Sequence, residues 1–203
     1  MRHTTGRLWI SSDWHLGHTN IAGPKVSEWK SGYRIFDNTH HMNQTIINNI
    51  NTWVAEDDTI IFNGDFCFGG HYKTPDFRRQ IMCKNIHVVR GNHDHHINKY
   101  ADYFNSIQDY LEVWVKHGGK DYCIIVSHYA LRVWNGSHKG YLHAYGHSHD
   151  TLPPFGKSHD VGIDTAYRIV GEYRPFAIEE FIDHLANRDT EFPDHHTKNT
   201  NVR

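Results

Sequence analysis

The sequence predicts an α+β fold, in which two mixed sheets pack together with helices outside as a four-layer α/β/β/α sandwich. In the first half of the chain, apolar strand segments alternate with segments of helical periodicity. In the second half, short strand segments follow one another with turn sequences between them. Together these two patterns favour two packed sheets. No shift of composition marks a boundary, so residues 1–186 are predicted to form one domain.

The first half is predicted to contain three strands and two helices. Residues 7–12 form a buried strand, and residues 17–40 are rich in Gly, Asn, Ser and His, which is typical of a loop. Asn38 or Thr39 caps a helix that runs to about Val54, because apolar residues recur there at helical spacing. The remaining elements are the strand 59–62, the helix 75–83, which has a proline at an early position, and the strand 86–89.

The second half is predicted to contain more strand than helix. Residues 110–116 and 122–126 form two strands that flank the turn sequence His117-Gly118-Gly119-Lys120. Residues 187–203 are polar and are predicted to be a disordered tail. The other predicted elements are the strands 141–145, 161–163 and 173–176, and a closing helix over 178–185.

Composition limits the classes of function. The 203 residues carry a net charge of −2, and the pI is about 6.8, so the chain offers no strong basic field for a long polyanion such as duplex nucleic acid. Three cysteines without a CxxC pair are too few for a disulfide framework. The start of the chain lacks the apolar run of a signal peptide, and no stretch is long enough for a transmembrane helix. A cytoplasmic protein without a membrane partner is therefore predicted, and its oligomeric state stays open.

Five short motifs supply metal-ligand side chains, each in or after a predicted strand or loop. In an extended segment, residues i and i+2 project the same way, so a D-x-H or H-x-H pair can aim two ligands into one cavity. The set comprises two carboxylates, one amide oxygen and four imidazoles, which is enough to hold two divalent cations. The motifs are Asp13-Trp14-His15, Gly64-Asp65, Gly91-Asn92-His93-Asp94, Ser127-His128 and Gly146-His147-Ser148-His149.

In this order, the motifs resemble those of the calcineurin-like metallophosphoesterases: D-x-H, G-D, G-N-H-[DE], a His after a strand, and G-H-x-H. The beginning, Asp13 to His18, is similar to the short bacterial and phage members that start D-x-H-x-G-H, and Arg174-Pro175-Phe176 resembles the tail of those members. The resemblance implies that His93 acts on the substrate from outside the metal shell, and that Asp94 orients its imidazole by a hydrogen bond. The implied ligands are Asp13, His15 and His149 for the first metal, Asn92, His128 and His147 for the second, and Asp65 as the bridge.

The resemblance also implies the reaction: hydrolysis of a small phosphodiester or phosphomonoester, of nucleotide type. A hydroxide held by the two cations attacks phosphorus, and His93 acts as the general acid toward the leaving group. The nitrogen and oxygen ligands fit Mn best, while Fe, Ni or Zn would also suit them. His18 and Asn20 are candidates for the substrate side of the cavity, and ordinary loop and turn roles are equally open for both.

One departure from the family pattern narrows the substrate. The protein phosphatases extend the second motif to G-D-x-V-D-R-G, whereas residues 64–70 read GDFCFGG and lack the arginine. This argues against a phosphoprotein phosphatase and against a dinucleoside tetraphosphate hydrolase. Core packing is the favoured role for Phe66 and Phe68, and the alternative is a place beside the site or against a base. Two alternatives stay open: a nuclease that acts on short or single-stranded nucleic acid, and a non-catalytic interaction module on the same scaffold, against which the complete ligand set speaks.

Overall fold

Two mixed β-sheets flanked by helices make up the structure, a computed structural model that describes residues 1–2, 6–28, 33–70, 72–191 and 193–194. The strands are β1 Leu8–Ser11, β2 Thr59–Phe62, β3 Asn85–Val89, β4 Ser106–Gln108, β5 Leu111–His117, β6 Lys120–Val126, β7 Leu142–Tyr145, β8 Ser158–Asp160 and β9 Phe176–Ala177. The helices are α1 Thr19–Ala22, α2 Thr39–Trp53, α3 Lys73–Arg78, α4 Ile163–Val170 and α5 Ile178–Ala186, with 3₁₀ turns at Ile97–Tyr103 and Ser137–Lys139.

The strand order brings several carboxyl ends to a common edge. The first sheet has the order β4-β3-β2-β1-β9, in which β1 to β4 are parallel and β9 is antiparallel to β1. The second sheet has the order β5-β6-β7-β8, in which β5 and β6 form an antiparallel hairpin and β6, β7 and β8 are parallel. The predicted pair of mixed sheets with flanking helices is confirmed, and the parallel strands of each sheet end together.

Alternate residues of β1 show how the core is divided. Leu8 and Ile10 belong to the apolar cluster that also takes in side chains of β5, β6 and β7. Trp9, which points the opposite way, belongs to the cluster that the first sheet forms with α2. Helix α2 is N-capped by Asn38, whose side chain accepts a hydrogen bond of 2.8 Å from the His41 backbone N–H. The predicted capped, amphipathic helix is thus confirmed.

Helix α3 ends earlier than predicted, at Arg78 instead of about Cys83. The buried guanidinium of Arg78 explains this, since it donates to the carbonyl oxygens of Ile81 at 3.0 Å, Cys83 at 2.9 Å and Lys84 at 3.1 Å. These carbonyls satisfy a buried cation, so the chain folds back around it and leaves the helical path. Periodicity alone carries no information on such a contact.

Two further predictions about the elements were wrong, and one strand was missed. Residues 161–163 are not a strand: β8 ends at Asp160, and Ile163 begins α4. The predicted loop 17–40 contains the short helix α1, and β4 was not predicted at all. Within the predicted tail, Arg188 donates to the Ser158 carbonyl at 3.2 Å, so the tail makes contact with the domain at that residue. Residues 192 and 195–203 of the predicted tail lie outside the described residues.

Candidate metal centre

All five motifs lie at carboxyl ends of parallel strands. Asp13 follows β1, Asp65 follows β2, Asn92 follows β3, His128 follows β6 and His147 follows β7. Backbone hydrogen bonds join the loops to one another. The N–H of Asp13 donates to the Gly64 carbonyl at 2.9 Å, and the N–H of Gly146 donates to the His128 carbonyl at 2.9 Å. The backbone N–H of His147, which follows β7 of the second sheet, donates to Asp13 Oδ2 at 3.0 Å, so loops of both sheets meet at one site.

The first cluster consists of Asp13, His15 and His149, whose ligand atoms all lie within 4.8 Å of one another. His15 Nε2 is buried and has no hydrogen-bond partner. It lies 3.6 Å from Asp13 Oδ1 and 3.4 Å from Asp65 Oδ2. A buried ring nitrogen without a partner costs free energy, and a divalent cation between it and the carboxylates would remove that cost. The residues present therefore fit a metal ion.

The second cluster consists of Asp65, His128 and His147, again within 4.8 Å. Asn92 adds its side-chain oxygen, which lies 3.0 Å from His128 Nε2 and 2.8 Å from His147 Nδ1. Asp65 Oδ2 lies 3.4 Å from His128 Nε2, the same separation that it has from His15 Nε2 of the first cluster. One carboxylate oxygen thus faces both clusters.

Hydrogen bonds fix which imidazole nitrogens face the centre. His128 Nδ1 lies 2.8 Å from the Asn63 carbonyl oxygen, which can only accept, so Nδ1 carries the proton and Nε2 is left for a metal. His149 Nδ1 lies 2.7 Å from Asp164 Oδ2, which leaves its Nε2 for the first cluster. Sequence reasoning identified neither Asn63 nor Asp164.

The buried side chain of Arg34 stabilises this arrangement. Its guanidinium is 1% exposed and donates to both carboxylate oxygens of Asp164, from Nε at 2.8 Å and from Nη2 at 2.9 Å. It also donates to the backbone oxygens of Asp13 at 2.6 Å and Trp14 at 3.0 Å. This role could not be predicted from the sequence, because Arg34 lies in a predicted loop and Asp164 lies just beyond a wrongly predicted strand.

Carboxylate and imidazole groups of the centre shift one another's pKa values against the effect of burial. Burial by itself would raise the pKa of Asp13, but the neighbouring imidazoles of His15 and His149 lower that pKa below its ordinary value. Burial by itself would lower the pKa of His128, but Asp65 facing it raises that pKa to about 9. Protons and metal ions would therefore compete for the same nitrogen atoms.

Backbone strain is concentrated at the centre. Residues other than glycine rarely adopt positive φ, which costs roughly 1–3 kcal/mol each and tends to be retained at functional sites. Asp150, next to the last ligand, is among the described residues with this conformation, at φ 63°. The predicted ligands that share it are Asp13 (57°), His15 (47°), Asp65 (63°), His147 (66°) and His149 (45°).

Two glycines allow the loops to approach this closely. A Cβ at Gly91 would lie 2.1 Å from Asp65 Oδ1, and a Cβ at Gly64 would lie 2.5 Å from His128 Nδ1. Either side chain would displace a predicted ligand. The glycines of the G-D and G-N-H-D motifs thus have a steric reason in this chain.

His93 lies at the border of the centre and is exposed. A nitrogen of its ring is within 4.8 Å of ligand atoms of His15 and Asp65. Its backbone N–H donates to Asp65 Oδ1 at 2.8 Å, which fixes its position relative to the carboxylate that both clusters share. The structure therefore places His93 beside the predicted metal ligands, and its role toward a substrate stays a prediction.

The prediction for Asp94 requires a correction. Among the described residues, its carboxylate accepts hydrogen bonds from backbone N–H groups, those of Asp65 at 2.8 Å, Gly91 at 2.9 Å and Phe66 at 3.0 Å. The expected hydrogen bond to the His93 imidazole is not among them. The reason is geometric: the buried carboxylate faces the turn after β2, so it supports the loop that carries Asp65.

We expect the variant Asp94→Asn to lose stability, because its amide group can replace at most part of three hydrogen bonds to a charged acceptor. The expected loss is about 3 kcal/mol in the free energy of unfolding, measured by urea denaturation of metal-free protein. Asp102→Asn, an exposed acid outside the centre, serves as the matched control. Unchanged stability together with slower turnover would instead support the original prediction that Asp94 orients His93.

His18 and Asn20, the two predicted substrate residues, differ in location. His18 Nδ1 lies 3.3 Å from His15 Nδ1, and its ring stacks on Phe68 with centroids 3.9 Å apart and an interplanar angle of 13°. Asn20 is exposed on α1. Phe66 is fully buried, as predicted, whereas Phe68 is 37% exposed, so the core role predicted for Phe68 was wrong.

Comparison with known proteins places this architecture in a family. Residues 6–201 match the model of the calcineurin-like phosphoesterases, and the chain belongs to that family. The family consists of phosphoester hydrolases that typically depend on two metal ions, and the His and Asp clusters are consistent with such dependence.

Two similar proteins were found, and neither has a described activity. A solved structure of the protein of unknown function AQ665 from Aquifex aeolicus has a TM-score of 0.59 at 20% identity, covering 89% of this chain and 100% of that chain, which supports the fold. An uncharacterized protein of Methanocaldococcus jannaschii is 32% identical over 104 residues, 50% of this chain and 52% of the relative, so the match spans about half of the relative's length. In the described part of the chain, no helix is both long and apolar enough to cross a membrane.

Proposed function

We propose that this protein is a dinuclear metal-dependent phosphoesterase that hydrolyses a small phosphodiester or phosphomonoester. The observation that carries the proposal is the position of Asp65 Oδ2, which lies 3.4 Å from His15 Nε2 in the first cluster and 3.4 Å from His128 Nε2 in the second. A carboxylate oxygen shared in this way is suited to two adjacent cations. Asp13, His15 and His149 would hold the first ion, and Asn92, His128 and His147 the second.

The ligand atoms favour Mn²⁺, with Fe, Ni or Zn as possible substitutes. They are imidazole nitrogens and carboxylate or amide oxygens, and Cys67 belongs to neither cluster. Two such cations, when bound, would supply a nucleophilic oxygen at neutral pH and positive charge for the phosphoryl group. The thiols of Cys67, Cys83 and Cys123 are all free, which supports a reducing, cytoplasmic environment.

The chain's own residues supply the remaining chemistry. Arg34 and Asp164 keep His149 in one tautomer, and Asn63 does the same for His128, so the nitrogens that face the centre do not need to reorient. His93, at the exposed border, is in position to give a proton to the leaving oxygen as its bond to phosphorus breaks.

The direct test is hydrolysis of bis-(p-nitrophenyl) phosphate, p-nitrophenyl phosphate and a panel of nucleotides with added Mn²⁺. We expect at least one of them to be cleaved when about two metal ions are bound per chain. If fully loaded protein cleaves none of these esters, the proposed function is wrong. A loaded protein that cleaves only single-stranded DNA or short oligonucleotides would indicate a nuclease instead.

The variant His93→Ala tests the proposed proton donor. Turnover should fall by roughly 10²–10⁴-fold, the usual contribution of a general acid, while the metal content stays the same. His40→Ala, an exposed histidine of α2, is the matched control and should keep full activity. Equal turnover in the His93 and His40 variants would remove His93 from the mechanism.

A further inference from the structure

A cavity of about 290 Å³ borders His93. It lies between the loop after Asp65, residues 67–70, and the segment 93–97. Among the described residues that line it there is no Lys or Arg, and its one acidic group, Asp94, is occupied by backbone N–H donors. The cavity therefore offers no permanent positive charge to a second phosphate or to a carboxylate.

Phe68 gives this cavity an aromatic wall. Its ring is 37% exposed, although it lies beside a polar centre. His18 covers one face of it, and the His93 ring meets it edge-on with centroids 5.2 Å apart. Because His18 also contacts His15 Nδ1, the aromatic wall is held in a fixed position relative to the first cluster. An exposed, immobilised aromatic ring is suited to packing against another planar ring.

The position of His93 determines which part of a substrate enters the cavity. In the proposed reaction His93 gives its proton to the leaving oxygen, so the group attached to that oxygen lies next to His93. The aromatic wall formed by Phe68 lies next to His93 in the same cavity, so it is available to that group. The residues that follow Phe68, Gly69 and Gly70, add no side chains that would fill the space.

We infer that this cavity binds an uncharged planar ring, carried by a nucleoside or an aryl alcohol as the leaving group, and that Phe68 is the residue that selects it. The inference rests on the proposed function. The volume of the cavity is near the lower limit for small-molecule sites, which suits one such ring better than a longer chain. Leaving groups that carry further phosphates would enter without a counter-charge and are disfavoured.

The kinetic test compares two substrates that differ only in the base: adenosine 5′-phosphate and ribose 5-phosphate, or their methyl esters if only diesters are cleaved. We expect kcat/KM to be about tenfold higher for the adenosine ester, as base–aromatic stacking typically provides. Phe68→Leu should remove most of that advantage, and Phe68→Trp should retain it. Ratios of variant to wild type for each substrate cancel the intrinsic reactivity of the esters.

A binding measurement that needs no catalysis accompanies it. Adenosine and phenol, the uncharged probes for the two ring classes, are titrated into wild-type and Phe68→Leu protein of equal metal content. Weaker binding of either probe by the variant supports the inference and identifies the class. Equal binding of both probes by the two proteins would overturn it.

The two proposals can fail separately. If both esters are cleaved equally well and Phe68→Leu slows neither selectively, the ring-binding inference is wrong and the phosphoesterase proposal stands. If fully loaded protein cleaves no phosphoester, the proposed function is wrong, and the binding of adenosine or phenol then decides whether the cavity accepts planar rings.

Discussion

The variant Asp65→Asn should lose hydrolytic activity by about 10³-fold or more, because one residue is proposed to serve both cations. Its Oδ2 faces His15 and His128 at 3.4 Å each, and its Oδ1 accepts the backbone N–H of His93 at 2.8 Å. Asparagine keeps one side-chain oxygen but replaces the other by an amide NH₂ group, which cannot bind a cation. Metal content per chain, measured by mass spectrometry, should fall from about two ions to one or none. Turnover should fall together with it.

This variant separates metal binding from folding. Asp65 has φ 63°, a conformation that asparagine also tolerates, so the substitution adds little backbone strain. Asp121→Asn, an exposed acid in β6, is the matched control and should keep both metal and activity. Two bound ions and full turnover in the Asp65 variant would contradict the shared role of this carboxylate.

Breaking the Arg34–Asp164 pair should have the largest effect on stability. Arg34→Met leaves the buried Asp164 carboxylate without its cation, and it leaves two backbone oxygens, those of Asp13 and Trp14, without their donor. Removing one partner of a buried pair typically costs about 3–5 kcal/mol. Urea unfolding of metal-free protein measures this, and Arg79→Met, at an exposed pair, should cost less than about 1 kcal/mol.

The same pair predicts a dependence on pH. Burial by itself would raise the pKa of Asp164, but Arg34 and His149 lower that pKa from 3.8 to about 2. A carboxyl with a lowered folded-state pKa stabilises the protein above its unfolded-state pKa, and this contribution disappears as the pH falls through the folded-state value. The stability difference between wild type and Asp164→Asn should therefore shrink as the pH falls from about 4 toward 2. A constant difference over the whole range would contradict this account.

The site was more predictable than the contacts that support it. Each motif places its ligands within a few residues at a strand end, so local sequence was enough to bring Asp13, Asp65 and His128 to one edge. Arg34 and Asp164 are separated by 130 positions and meet only in the folded chain. Asp94 is a second example. Its sequence neighbour His93 was the predicted hydrogen-bond partner, whereas in the folded chain the partners are backbone N–H groups of the packed loops.

The fold shows a similar division. Strands with continuous apolar residues and the amphipathic, capped helix α2 were predicted because burial dictates their patterns. Helix α3 was predicted too long because its end depends on carbonyls that gather around Arg78. The start of helix α4 at Ile163 was predicted as strand because Val161 to Ile163 are apolar and continuous, a pattern that a strand and a buried helix start share, and no element was predicted over the rest of α4.

The positive φ angles of the ligand residues have a consequence for the history of such a chain. At Asp13, Asp65 and His147, glycine would adopt the observed backbone with less strain than the residue present. Selection for metal binding thus opposes selection for stability at the same positions. A descendant freed from its substrate should first exchange the exposed His147 for glycine and gain stability as it does so, whereas Asp13 and Asp65 also accept backbone hydrogen bonds and would be retained longer. Such a protein would keep the fold with a higher stability and would no longer catalyse the reaction.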